Sequence, residues 1–207
     1  IPVVVGGVTD GCQARTEQFW EYCGTQTISV SSPTAAELTK LADNWWIDLN
    51  IALANELARL SEEIGVDAME VINAANTLPK GQHNVNILYP GAGVGGSCLH
   101  KDPWFVANLA EDFGLTLETP RVSRRVNDAM PEHIVAMLLD ELDDISQSTV
   151  AVLGYAFKKG TDDVRNTPAK PIIQNLEDRG ATVRVTDPYV SDDVVLDEVG
   201  AEPGLLS

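Results

Sequence analysis

Basic residues are scarce in this chain. Lysine and arginine together number 14 against 31 aspartates and glutamates, a formal net charge of −17 over 207 residues. Such a surface repels polyanions, which argues against nucleic acid or anionic membranes as partners. Long apolar runs are missing too: none approaches the ~18 residues that a membrane-spanning helix needs. Only three cysteines occur, Cys12, Cys23 and Cys98. They show neither CxxC spacing nor accompanying histidines, so no metal site is expected. Their odd number suits a reducing cytoplasm. Cys12 and Cys23 share one short helical stretch and read as small buried hydrophobes. There is no internal repeat and no low-complexity tract. The opening IPVVVGG carries no basic segment and does not read as a signal peptide; it reads as a strand cut from something longer. The chain is accordingly expected to be a fragment.

What is present is a soluble-type composition, 44% hydrophobic, with helical and strand periodicities both evident. The acidic residues are dispersed rather than gathered in a tail. That dispersion, with so little lysine, reads as adaptation to a salt-loaded, halophilic cytoplasm, where ~1 M salt shortens the Debye length to ~3 Å. The six lysines that remain are Lys40, Lys80, Lys101, Lys158, Lys159 and Lys170. In so lysine-poor a chain each is a stronger candidate for touching a ligand.

Residues 3–8 read as a strand, 10–23 as a helix and 27–31 as a second short strand. A helix of ~30 residues follows, ~45 Å long, with Thr34 as its cap, Glu37 completing a capping box and Gly65 ending it. It is apolar around much of its circumference near Trp45–Leu57, so it is expected to pack on two sides. Residues 67–76 form a shorter helix, 77–101 an irregular loop, and 103–113 a helix capped by Asp102 with Pro103 at its first position. Another helix spans about 119–143. From residue 149 the pattern changes: strand 149–153 enters Gly154, a polar loop follows, Pro168 opens a helix ending at Gly180, and 181–187 is a second strand. Strand–loop–helix–strand is a βαβ unit, which implies a parallel sheet. The fold class is therefore α/β overall.

The loop sequence GAGVGGSCLHKD, residues 91–102, concentrates the chemistry. Cys98 stands at the end of a glycine run with Lys101 and Asp102 just behind it. A thiolate is the nucleophile that covalent capture of a carbonyl requires, and nearby positive charge favours it. Gly91, Gly93 and Gly96 match GxGxxG, but Pro90 precedes them and the surroundings are helical, so the match is not read as a dinucleotide fingerprint. In the later βαβ unit only Gly154 remains in the turn, although Asp187 stands where a ribose-binding acid would. Lys40 and Asn44 are four residues apart on the long helix and share a face, from which both can donate to a developing oxyanion. Each of these features also has a plain structural reading: a solvated helix face, a structural thiol, an N-cap.

Five blocks in order carry a resemblance: 34–44 (TAAELTKLADN), 50–67 (NIALANELARLSEEIGVD), 86–105 (NILYPGAGVGGSCLHKDPWF), 125–128 (RVND) and 154–169 (GYAFKKGTDDVRNTPA). Together they resemble the UDP-glucose/GDP-mannose dehydrogenase family across nearly the whole chain. The resemblance implies three parts. Residues 1–32 would be the tail of a truncated NAD-binding domain, 33–146 an all-helical central dimerisation domain like the C-terminal domain of 6-phosphogluconate dehydrogenase, and 147–207 a partial Rossmann-like UDP-binding domain. It implies oxidation of a sugar C6 alcohol to a carboxylate with two NAD, whose binding domain is absent from this chain. Cys98 would trap the C6 aldehyde as a thiohemiacetal, which a second oxidation turns into a thioester. Lys40 would act on the C6 oxygen, Asn44 would add a hydrogen bond, and Asp102 would assist water or tune the lysine. Gly95, Lys101, Phe157, Lys158 and Arg165 would bind the UDP-sugar, and the long helix would form a homodimer.

Within the family, the run from Asn86 to Gly96, residues 50–56 and residues 102–105 resemble the UDP-N-acetylmannosamine branch. Ser97-Cys98 with Lys101-Asp102 is closer to UDP-glucose dehydrogenases. Ile47 replaces an arginine common in the aminosugar branch, and Lys80 or His83 would stand in for a basic loop before the glycines. The aminosugar is the favoured substrate. Two other classes stay open: thiol chemistry with His83 or His100 as base, neither with an evident orienting partner, and a non-catalytic oligomerisation module.

Overall fold

The computed structural model describes residues 1–78, 86–142 and 144–203. Lys80 and His83 lie outside the described residues. The chain divides into two compact units, Ile1–Trp46 and Ile47–Ser207.

In the first unit, β1 (Val3–Val5), α1 (Asp10–Tyr22) and β2 (Thr27–Ser29) form a small βαβ arrangement. The strands pair in parallel, Val3 opposite Thr27 and Val5 opposite Ser29. Thr9 caps α1, its hydroxyl accepting from the Cys12 backbone N–H at 3.2 Å. Gln13 ties α1 to β1 by donating to the Val5 carbonyl at 3.0 Å, and the Ser29 hydroxyl donates to Glu17 at 2.5 Å. These ties are polar because α1 has no buried residue. For the same reason Cys12 and Cys23 are exposed, not the buried hydrophobes that their helical setting predicts.

The long helix α2 runs from Pro33 to Ile64, 32 residues. Its cap is Ser32, whose hydroxyl accepts from the Ala35 N–H at 3.2 Å, and not the predicted Thr34. Pro33 explains the difference. Its fixed φ suits the first helical position, and its missing N–H has no role there, so the helix starts two residues earlier than a Thr34 cap would place it. Gly65 ends it as predicted.

In the second unit α2 continues from Ile47, followed by α3 (Ala68–Thr77), α4 (Asp102–Glu111) and α5 (Glu118–Glu141). The buried side of α2 is small and polar: Asp48, Asn50, Ala52, Ala54, Asn55 and Ser61. Several of its large apolar side chains lie on the other side, while Ile47, Ile51 and Leu57 are half-buried. Trp46, Leu49, Leu53, Leu60 and Ile64 fall in one stripe at 100° per residue and are all exposed.

A three-stranded parallel sheet closes the unit, in the order β3 (Thr149–Leu153), β4 (Thr182–Thr186), β5 (Glu202–Pro203). Helix α6 (Ala169–Asp178) makes the crossover from β3 to β4, the predicted βαβ unit, and α7 (Asp192–Val199) leads to β5. Val150, Val152, Val183 and Val185 line the sheet's inner face, packed with Ile173 and Leu176 of α6, Val195 of α7 and Val135 of α5. The architecture is therefore the expected one, a helical region followed by a partial Rossmann-like α/β region.

Candidate active site

The site is built on asparagines. Asn50 Nδ2 donates to the Asn86 carbonyl at 2.9 Å while its Oδ1 accepts from the Leu88 N–H at 2.7 Å. Asn76 of α3 holds Ile87 in the same two-way fashion, at 2.9 and 2.8 Å. Asn55 accepts from the Gly91 N–H at 2.9 Å and donates to Asn127 Oδ1 at 2.9 Å. A side-chain amide copies the donor and acceptor of a peptide group. An irregular segment with no strand beside it thus has its backbone groups satisfied from two helices.

Behind these amides lies a buried ion pair. Arg124 Nη1 donates to Asp48 Oδ1 at 2.7 Å, and Asn127 Nδ2 donates to the same oxygen at 2.9 Å. Arg124 Nη2 reaches Asp128 and lies 3.2 Å from His100 Nδ1. A guanidinium only donates, so Nδ1 is the acceptor in this contact. His100 therefore does have an orienting partner, contrary to the sequence reading. Among the described residues, however, no histidine hydrogen-bonds the Cys98 sulfur, whose neighbour is the Ser97 hydroxyl at 3.9 Å.

The glycine run lies against the loop that follows β3. A Cβ on Gly95 would stand 2.5 Å from Phe157 Cβ and 2.9 Å from the Asn166 carbonyl oxygen; one on Gly96 would stand 2.8 Å from the Phe157 ring. Gly95 is thus required for loop-on-loop contact, whatever its part in approaching a sugar. Two hydrogen bonds seal the contact: Gly96 N–H to the Arg165 carbonyl at 2.8 Å, and Asn166 Nδ2 to the Gly96 carbonyl at 3.2 Å.

Two residues beyond this junction, Cys98 is exposed. Its carbonyl accepts from the N–H groups of Lys101 and Asp102 at 3.1 and 2.9 Å, a tight turn leading into α4. Asp102 does not cap α4 as predicted; it is the helix's first residue, and no side chain caps that end. Instead it is fully buried and takes a hydrogen bond from Lys101 Nζ at 2.5 Å. That bond, and secondarily the charges of Asp102 and of a Cys98 thiolate, hold Lys101 above the ordinary lysine value. Arg165 forks onto Asp163, which keeps its guanidinium charged, with the Cys98 thiolate adding to the effect. Each of these two cations is thus paired with a carboxylate beside it.

The crevice at the ends of β3 and β4 is differently built. Asp187 Oδ2 accepts from the N–H groups of Tyr155 and Ala156, at 2.7 and 2.9 Å, and Oδ1 accepts from Tyr189 and Val190. Burial pushes this carboxyl up, but the four amide bonds together outweigh it and leave it below the ordinary carboxylate value. Asp187 therefore closes the turn at the ends of β3 and β4. The amides that would face a pyrophosphate are already taken. Lys158, Lys159 and Thr161 line a cavity of about 200 Å³ beside it.

Of the sequence-predicted residues, the second unit brings together Cys98, Lys101, Asp102, Gly95, Phe157 and Arg165, with Lys158 on the neighbouring cavity. Lys40 and Asn44 lie one turn apart on α2 within the first unit. Sequence reasoning missed Asn50, Asn55, Asn76, Arg124 and Asn166. The available signal was asparagine inside helices, where it is disfavoured unless its amide is used. Among the described residues no helix is long and apolar enough to cross a membrane.

An exposed cysteine on a clamped glycine loop, placed before a Rossmann-like unit, defines a candidate centre for thiol chemistry. Comparison with known proteins gives the family. Residues 34–129 match the central domain of the UDP-glucose/GDP-mannose dehydrogenase family and residues 151–201 match its UDP-binding domain. This chain belongs to that family. It is 40% identical over 192 residues to a UDP-N-acetyl-D-mannosamine dehydrogenase of Pyrococcus horikoshii, covering 90% of this chain and 44% of the relative. It is 35% identical over 188 residues to an NDP-N-acetyl-D-galactosaminuronic acid dehydrogenase of Ralstonia nicotianae, covering 90% and 43%. A UDP-glucose dehydrogenase structure from Pyrobaculum islandicum superposes with a TM-score of 0.85 at 29% identity, over 98% of this chain and 46% of that one. The chain thus spans under half the length of the relatives it matches.

Proposed function

We propose that these residues are the central and C-terminal part of a nucleotide-sugar 6-dehydrogenase acting on a UDP-N-acetylamino sugar, with UDP-N-acetylmannosamine the favoured substrate. The observation that carries the reading is the exposed Cys98 at the end of a glycine loop that packs on Phe157 and is hydrogen-bonded through Gly96 to the Arg165 carbonyl. Cys98 adds its sulfur to the C6 carbonyl carbon, and the former carbonyl oxygen takes the negative charge. Lys40 protonates or stabilises that oxygen and Asn44 donates a second hydrogen bond, in keeping with the family resemblance. Asp102 accepts a proton from the water that later cleaves the thioester, freeing the thiol and the carboxylate. Lys158 and Arg165 hold the diphosphate as cationic donors.

The β3 crevice does not offer its turn amides to a pyrophosphate, since Asp187 occupies them. The resemblance implies that NAD accepts the two hydrides; no residue of this chain is assigned to it. The 207 residues alone are accordingly expected to bind UDP weakly and to produce no NADH. The exposed stripe of Trp46, Leu53, Leu60 and Ile64 supports pairing of two copies through α2.

The test is NADH production by the longer protein with UDP-N-acetylmannosamine, UDP-N-acetylgalactosamine and UDP-glucose, for the parent, Cys98→Ala and Lys40→Ala. Loss of carboxylate product in both variants is expected. Full activity in both would leave a non-catalytic oligomerisation module. Turnover by the 207 residues alone would overturn the account of NAD.

A further inference from the structure

Asn166 has φ +50°, and among the described residues it is the single non-glycine residue in the left-handed region. Asparagine tolerates that region better than other side chains, but a position that demands it usually has a reason. Here the reason is a bridge. Immediately before it, the Arg165 carbonyl accepts from the Gly96 N–H at 2.8 Å. Its own Nδ2 donates to the Gly96 carbonyl at 3.2 Å. Its own carbonyl oxygen lies where a Cβ on Gly95 would come within 2.9 Å. Both backbone groups of Gly96 are thus gripped from residues 165 and 166, two positions before the nucleophile. The left-handed turn at Asn166 lets a carbonyl of residue 165 and a side-chain amide of residue 166 reach the same glycine. Meanwhile the Arg165 guanidinium stays forked on Asp163, with its Nε 2.8 Å from Oδ1.

We propose that Asn166 is a positioning residue: it fastens the loop that bears Arg165 to the loop that bears Cys98, and so fixes where the sulfur stands. Its further consequence, that a diphosphate arriving on Arg165 alters the cysteine, rests on the nucleotide-sugar reading above. Asparagine suits the position chemically. Aspartate tolerates the same φ but sets an oxygen against the Gly96 carbonyl, and glycine adopts the φ freely but has no donor. These two substitutions separate the bridging bond from the backbone conformation.

The test is the rate of iodoacetamide alkylation of each cysteine at one pH, followed by peptide mass spectrometry in the 207-residue chain and its variants. Cys12 and Cys23, exposed in the first unit, are internal references. In Asn166→Asp and Asn166→Gly the Cys98 rate is expected to change at least ~3-fold as its loop is released from residues 165 and 166. The two reference cysteines stay unchanged, which a mere loss of stability would not produce. Should both variants fail to fold by circular dichroism, amide exchange of the parent's Gly96 N–H, which donates to the Arg165 carbonyl, decides instead, and strong protection is expected. An unmoved Cys98 rate in a folded Asn166 variant, or a Gly96 amide that exchanges as fast as an open loop, overturns the proposal. Calorimetry with UDP forms a separate arm. Where UDP binds the parent, it should alter the Cys98 alkylation rate at least ~3-fold, and this response should vanish in Asn166→Asp although UDP still binds. A response that persists there overturns the coupling. Failure of UDP to bind the parent overturns the nucleotide reading alone, because the change in alkylation rate needs no ligand.

Discussion

Arg124 and Asp48 form an ion pair 2.7 Å apart in which both side chains are fully buried, joining α5 to α2 directly beneath the asparagines that hold the glycine loop. Removing one partner of such a pair strands the other. Asp48→Ala is expected to cost about 3 kcal/mol of unfolding free energy, at the low end for a buried pair because Asp128 still neutralises the guanidinium. Urea titration measures it. A loss under about 1 kcal/mol would mean that Arg124 finds water or another partner instead.

Gly96 and Phe157 are in steric register. A Cβ on Gly96 meets only the far edge of the Phe157 ring, at 2.8–2.9 Å. Gly96→Ala should therefore destabilise by overpacking and by its φ of +84°, about 2 kcal/mol together. Adding Phe157→Ala removes the clash but not the strain. A double-mutant cycle is expected to return a favourable coupling of about 1 kcal/mol. Strict additivity would show that the two loops do not press on one another in solution.

The Asp163–Arg165 fork predicts acid sensitivity. Hydrogen bonds from Arg165 bring the Asp163 carboxyl down to about 2. A folded-state value below the unfolded one gives stabilisation that is complete above ~3.9, the ordinary aspartate value. It is lost as pH falls toward the folded value. The melting-temperature difference between parent and Asp163→Asn should therefore be constant above pH 5 and shrink between pH 4 and about 2. A difference that does not change with pH would rule the fork out as a contributor.

The exposed stripe on α2 bears on assembly. Leu60 is 57% exposed and Leu53 45% exposed. If a second copy covers them, Leu53→Glu with Leu60→Glu halves the mass seen by light scattering and leaves the helix content intact. A parent that is monomeric at all concentrations would sink the dimer.

Charge sets a condition on every one of these measurements. With a net charge of −17, self-repulsion should weaken as KCl rises from ~0.1 M, where the Debye length is ~10 Å, to ~1 M, where it is ~3 Å. Melting temperature should climb over that range. A flat or falling profile would contradict adaptation to salt.

How much of this was legible beforehand depends on whether the physics is local. Helix α2, its stop at Gly65 and the parallel βαβ unit follow from periodicity and from residues that fix their own backbone, and they read directly from the chain. So did the dehydrogenase family, because five motif blocks keep their order without reference to space. Caps were legible in kind but shifted in place: Pro33 moved one start to Ser32, and Asp102 turned inward to Lys101. Burial of Cys12 and Cys23 could not be read, since it depends on whether α1 meets anything apolar, and it does not. Only tertiary structure could decide that α2 turns asparagines inward and leucines outward, that Asp187 closes a turn, and that Asn166 grips Gly96. Those contacts join residues from tens of positions apart, and no pattern within a single helix or loop encodes which distant backbone group an amide will find.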